Sequence, residues 1–89
     1  MQLDERATHE VVQRLRRAEG QLRGVIRMLE EGRDCADVVT QLSAVSHAVD
    51  RAGFRLIATG LQQCRDASRD GGAAAADEER LERLFLSLA

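Results

Sequence analysis

The chain has 89 residues, enough for one domain, with a formal charge of −2, two Cys and no Pro, Trp or Tyr. Two cysteines are too few for a disulfide scaffold, the net charge argues against a uniformly basic nucleic-acid binder, and no apolar run is long enough to cross a bilayer. A chain this short buries only about 60% of the surface its unfolded form exposes, so a core of Leu, Val, Ile and Ala is thin and gains from oligomerisation.

The abundance of Ala, Leu, Glu, Gln and Arg points to helices, and no segment alternates cleanly enough to read as a strand. The expected fold is all-α, one domain over residues 1–89. Its first helix covers about residues 4–31. Val11, Leu15, Ala18, Leu22, Val25 or Ile26, and Leu29 recur there at three- and four-residue steps. Asp4 or Thr8 can cap its start, and Gly32 can end it in the left-handed conformation. Gly20 and Gly24 inside it admit either a close backbone approach or plain tolerance.

The second helix is long, about residues 35–67, with Asp34 as its N-cap and Asp37 favoured in its first turn by the helix dipole. Val38, Leu42, Val45, Val49, Ala52, Leu56, Ile57 and Leu61 form its apolar side. A linker is expected over about residues 68–76, with Gly71-Gly72 and an alanine end that can join the next helix. A third helix is expected over about 77–88, its apolar face made by Leu81, Leu84, Phe85 and Leu88.

Charge is unevenly spread. From Val11 to Arg33 there are six Arg against three Glu, and from Asp66 onward six acids against three Arg. All 13 basic residues are Arg. Its planar fork donates two hydrogen bonds to one phosphate. The N-terminal segment Met1–Glu10 has no apolar signal stretch, so a cytoplasmic protein with reduced thiols is expected.

Cys35 and Cys64 lie on the same predicted helix, about 43 Å apart at 1.5 Å per residue. They cannot meet within one subunit. An antiparallel pair of second helices from two subunits lets Cys35 of one chain face Cys64 of the other. That register also sets Val38 against Leu61, Leu42 against Ile57 and Val45 against Phe54, all apolar. Gly60, one turn before Cys64, leaves volume over its sulfur. The plainer alternative is that both thiols are small buried hydrophobes.

Three stretches resemble the CsoR/RcnR family of small helical repressors: Arg14-Leu15-Arg16-Arg17-Ala18-Glu19-Gly20-Gln21-Leu22-Arg23-Gly24, Met28-Leu29-Glu30-Glu31-Gly32-Arg33-Asp34-Cys35, and Gln41-Leu42-Ser43-Ala44-Val45. The resemblance covers about residues 10–67. It implies a three-helix subunit forming antiparallel four-helix-bundle dimers and then a dimer of dimers. It also implies binding to operator DNA, with an inducer bound between subunits that releases the DNA. The DNA-contacting positions it implies are Arg14, Arg16, Arg17 and Arg51. Cys35 and Cys64 match the two cysteines of copper-sensing members. Where those members carry a His ligand, however, Gly60 stands here, and Asp34 replaces their outer-shell Tyr. His9 and His47 are poor substitutes: the first belongs to a helix start, and the second lies about 18 Å along the helix from Cys35.

A cysteine pair without the His is most similar to the CstR-type branch, which responds to persulfide and polysulfide and needs no cofactor. The expectation is therefore a persulfide-sensing repressor with Cys35 and Cys64 as sensing thiols and Gly60 beside them. The alternative within the family is a Cu(I)-responsive repressor using the same two thiolates as metal ligands. A helical interaction module without DNA binding is an alternative of another class. A thiol enzyme is not expected, because there is no Cys-x-x-Cys and neither His is placed to act as a base.

Overall fold

The structure is a computed structural model that describes residues 2–67 and 72–88. It contains α1 (Glu5–Glu30), α2 (Cys35–Ala67) and α3 (Gly72–Leu88), and no strand among the described residues.

Both ends of α1 are held by backbone chemistry that the sequence anticipates. The α1 cap is Asp4 rather than Thr8: its Oδ1 accepts from the Ala7 N–H at 2.8 Å. Its other oxygen, Oδ2, accepts from Gln63 Nε2 at 3.0 Å, which ties the start of α1 to the far end of α2. At the other end, Gly32 takes φ +70°. The Arg33 N–H reaches Met28 O at 2.9 Å and the Gly32 N–H reaches Leu29 O at 3.1 Å, the paired bonds of a Schellman motif. Asp34 then caps α2, accepting from the Ala36 N–H at 3.1 Å. A Cβ at Gly32 would touch nothing, so Gly32→Ala isolates the cost of the left-handed backbone. We expect a loss of about 1–2 kcal/mol, read as a lower urea midpoint with unchanged slope.

α2 runs unbroken through Gly53 and Gly60. α3 begins at Gly72 rather than Asp77, so the expected linker is shorter. Ala73–Ala76 are strong helix formers and extend the helix backward toward the glycines. The rest of that expected linker, residues 68–71, lies outside the described residues.

α1 and α2 pack antiparallel along a seven-residue repeat. Val11, Ala18 and Val25 are buried on α1, and Val38, Val45 and Ala52 on α2. Val25, Val38 and Val45 form one cluster with Met28 against it. Arg55 of α2 pairs with Glu10 of α1 at 2.8 Å on the surface. α3 returns antiparallel along the C-terminal half of α2. Leu88 sits over Gly53, Phe85 meets Phe54 with ring centroids 5.4 Å apart, Leu81 sits over Gly60, and Glu78 pairs with Arg65 at 3.2 Å. Nothing approaches a Cβ position at Gly20 or Gly24 within 4 Å, so no backbone crosses α1 there within the subunit.

The subunit is one layer of helices, 56 × 25 × 12 Å. Its radius of gyration is 17.0 Å, against about 12 Å for a globule of this length. Among the described residues, no large side chain is fully buried. Val12, Leu15, Leu22, Ile26 and Leu29 of α1 and Leu42, Val49 and Leu56 of α2 are exposed. A rotation of about 100° per residue places the α1 row on one side of the buried Val11–Ala18–Val25 stripe, and Arg14, Arg17 and Gln21 on the other. The α1–α2 hairpin thus has an apolar face and an arginine face.

Candidate functional site

On the arginine face, Arg14, Arg17 and Gln21 of α1 converge with Ala48 and Arg51 of α2 around a groove of about 70 Å³. Arg14 and Arg17 share a helix face because they are three residues apart, and Gln21 continues that face one turn on. Arg51 enters from the facing helix. Among the described residues, no carboxylate lines the groove. Glu10 sits at its edge, 3.7 Å from the Arg14 guanidinium and held more closely by Arg55. Three arginines line so small an opening, and arginine is the side chain whose planar fork suits a phosphate. The structure therefore brings together three of the four expected DNA-contacting residues. Arg16 is exposed on α1 but does not line the groove, since adjacent residues diverge by about 100°. Gln21 was missed by the sequence reading. Its signal was its place seven residues after Arg14 and four after Arg17.

The two thiols lie at opposite ends of α2. Cys35 is exposed in the first turn, whereas Cys64 is buried. At about 43 Å apart they belong to different regions of the subunit. Cys64 shares its face with Gly60, one turn earlier. The space over Gly60 is not open as the sequence suggested. Leu81 of α3 fills it, its Cδ1 lying 3.0 Å from where a Cβ would stand. Gly53–Leu88 and Gly60–Leu81 keep one register between α2 and α3, which carries Asp77 to the level of Cys64. His9 and His47 are exposed, and His9 contacts Gln13 at 3.1 Å. Among the described residues, no group of three or more His, Cys, Asp or Glu is assembled that could hold a metal within the subunit. No helix among them is long and apolar enough to cross a membrane.

Residues 7–87 match the family of metal-sensitive transcriptional repressors. The chain belongs to that family. It is 46% identical over 63 residues to the copper-sensing transcriptional repressor RicR of Mycobacterium tuberculosis, covering 70% of this chain and 66% of RicR, so it spans just under two thirds of that relative. It is 35% identical over 74 residues to the copper-sensing repressor CsoR of Bacillus subtilis, covering 82% of this chain and 73% of CsoR. Its fold is similar to that of the nickel-responsive transcriptional regulator InrS, with a TM-score of 0.76 and 31% identity over 86% of this chain and 90% of InrS. These family members are transcriptional repressors or regulators by name, not enzymes.

The donor set can be weighed against the metals those names mention. Two thiolates suit a soft ion such as Cu(I), which accepts two sulfurs in a line. Nickel in a nitrogen-rich site needs imidazoles, and neither His of this chain lies near a cysteine along the helices. Cys35 and Cys64 supply the thiolates of this chain, and position 60, one turn before Cys64, is a glycine with no donor to add.

Proposed function

We propose that this chain is an operator-binding transcriptional repressor whose dimer pairs Cys35 of one subunit with Cys64 of the other, and that sulfane sulfur joining them releases the DNA. The observation that carries this reading is the layout of α2. It is one unbroken helix with a thiol at each end, and the exposed row Leu42, Val49 and Leu56 lies between them. Leu42 and Leu56 each stand seven residues from Val49. A second copy laid antiparallel about Val49 stacks Leu42 against Leu56 of the partner subunit. It also brings Cys35 to the level of the partner's Gly60–Cys64 turn. The contact is isologous, so it creates two thiol pairs. A dimer of dimers would then use the outer side of α3, where Leu86 is exposed.

With the apolar faces joined, the arginine grooves of both subunits stay outside. Each takes one backbone phosphate, and the binding weakens with salt as counterions are released. Family membership supports the repressor class, and a glycine rather than a histidine at position 60 supports sulfur chemistry at the thiols.

The chemistry proceeds in two displacements. One thiolate attacks the terminal sulfur of a hydropolysulfide. A new S–S bond forms, the old one breaks, and the shortened polysulfide leaves with the electron pair. The facing thiolate then attacks the inner sulfur of that persulfide and expels hydrosulfide. Two thiolates are oxidised to a disulfide while one sulfane sulfur is reduced. The covalent link fixes two α2 helices at one spacing, and each groove depends on the position of Arg51 on α2.

The copper-sensing names of RicR and CsoR favour a second reading, in which Cu(I) bridges the same thiolates. Intact-mass measurement on reduced, oxygen-free protein separates the two. The sulfur reading predicts dimers cross-linked by polysulfide, some carrying extra sulfur, and weak retention of copper. One tightly held copper per subunit with no sulfur bridge would replace it with the Cu(I) reading.

A further inference from the structure

We infer that a second, wider groove at the tip of the α1–α2 hairpin reads base edges of the bound DNA, beside the arginine groove that holds its backbone. The inference rests on the reading of this chain as an operator-binding repressor. Arg27 of α1, Glu31 and Arg33 of the turn, and Gln41 of α2 line this second groove, whose volume is about 330 Å³. Gln21 lines both grooves, so the two are continuous on one side of the hairpin. Gln41 stands about 15 Å along α2 from Arg51, too far for one phosphate to fill both.

The two grooves differ in chemistry. Phosphate oxygens only accept hydrogen bonds and guanidinium groups only donate them, which suits the groove of Arg14, Arg17 and Arg51. The wider groove adds the Glu31 carboxylate, an acceptor that repels a phosphate. It also holds the carboxamides of Gln21 and Gln41, each able to donate and to accept. Base edges in the major groove of DNA present that mixture. A guanidinium pairs with O6 and N7 of guanine, a carboxamide with N6 and N7 of adenine, and a carboxylate accepts from N4 of cytosine. The minor groove offers a single donor, N2 of guanine, and a poorer match.

The reading groups are free to turn. Glu31 and Arg33 lie 3.8 Å apart with side chains 53% and 56% exposed. An exposed pair at that distance holds weakly, so a base edge can compete for either partner. Gln21, Arg27 and Gln41 are exposed as well, while Val25 and Val38 carry the core at this end. Phosphate contacts fix register without carrying sequence information, and base contacts carry it. The arginine groove therefore sets position and the wider groove sets preference.

The test uses full-length reduced protein and a duplex that wild type enriches from a random pool. Affinity is measured for that duplex, for its single-base-pair variants and for a random-sequence duplex, with circular dichroism to confirm folding. Arg33→Ala, Gln41→Ala and Glu31→Gln should each reduce discrimination at particular base pairs by roughly tenfold, the scale of one lost bidentate contact. Gln41→Ala and Glu31→Gln should leave affinity for the random duplex no weaker than wild type. Arg51→Ala should weaken binding to every duplex alike and keep the order of preference. Arg16→Ala, outside both grooves, should keep that order too. Unchanged discrimination in the Arg33, Gln41 and Glu31 variants, with Arg51→Ala still weakening all binding, would overturn base reading by this groove and leave operator binding standing. A uniform gain for every duplex in Glu31→Gln would also overturn it, since the groove would then face phosphate. Failure of wild type to enrich any duplex would remove the operator-binding reading itself, and this inference with it.

Discussion

We expect Arg51→Ala and Arg14→Ala each to weaken operator binding severely while leaving the oligomer intact. The two side chains reach the same groove from different helices, with Arg17 and Gln21 beside them. A hydrogen bond to a charged group contributes about 1.5–3 kcal/mol, so one lost contact costs roughly tenfold to a hundredfold in affinity. Each substitution occurs in every subunit, which multiplies the effect in a symmetric complex. The salt slope should also fall by about one per phosphate contact removed. Combining the two should cost less than the sum, because both address one phosphate. Arg16→Ala, outside the groove, should change affinity least. Fluorescence anisotropy on a sequence selected from a random duplex pool, at several salt concentrations, reads all of these. Equal losses for Arg16 and Arg51 would mean that a diffuse basic surface binds DNA rather than the groove.

Val49→Asp should break the oligomer. Val49 is 46% exposed in the subunit, at the centre of the symmetric apolar row of α2. In the proposed dimer its two copies lie beside the two-fold axis. A carboxylate there is buried against its own copy, with desolvation of several kcal/mol per ion and like-charge repulsion added. The folded subunit loses nothing comparable, since the position faces solvent in the monomer. Sedimentation velocity should show a smaller species that retains helical circular dichroism. Operator binding and thiol cross-linking should fail with it. A variant that stays oligomeric would place the subunit contact elsewhere.

The architecture is readable from local signals. Gly32 and Asp34 mark the α1–α2 turn because backbone conformation and capping are decided within a few residues. The separation of Cys35 and Cys64 follows from helix rise alone. What misleads is the choice of neighbour. The sequence reading assigned Val38, Val45 and Ile57 to the partner-facing side, yet all three are buried within the subunit, with Leu42, Val49 and Leu56 left outside. Periodicity identifies apolar rows on a helix but not which helix each row meets, and α2 carries more than one row. Gly60 misleads for a related reason. Its missing side chain reads as empty space, but the space is filled by Leu81, from a helix whose register on α2 no local pattern specifies. The alanine run takes the joining alternative: α3 starts at Gly72 and carries Ala73–Ala76 into the helix ahead of Asp77. Arg16 enters the set through the family resemblance, and its place about 100° around α1 from Arg17 keeps it out of the groove.

The most direct test of the central claim mixes two defective chains. Cys35→Ala retains only Cys64, and Cys64→Ala retains only Cys35. In the antiparallel dimer, neither variant alone holds a matched pair, since the remaining thiols of each homodimer lie at opposite ends of the paired helices. A heterodimer of the two holds one complete pair. Unfolding, mixing, refolding and exposure to polysulfide should give a cross-linked species whose intact mass, after subtraction of any added sulfur, is that of one chain of each kind joined by a disulfide. Each variant treated alone should stay uncross-linked. Cross-linking within either variant alone, or none in the mixture, would contradict the pairing of Cys35 with Cys64 across subunits.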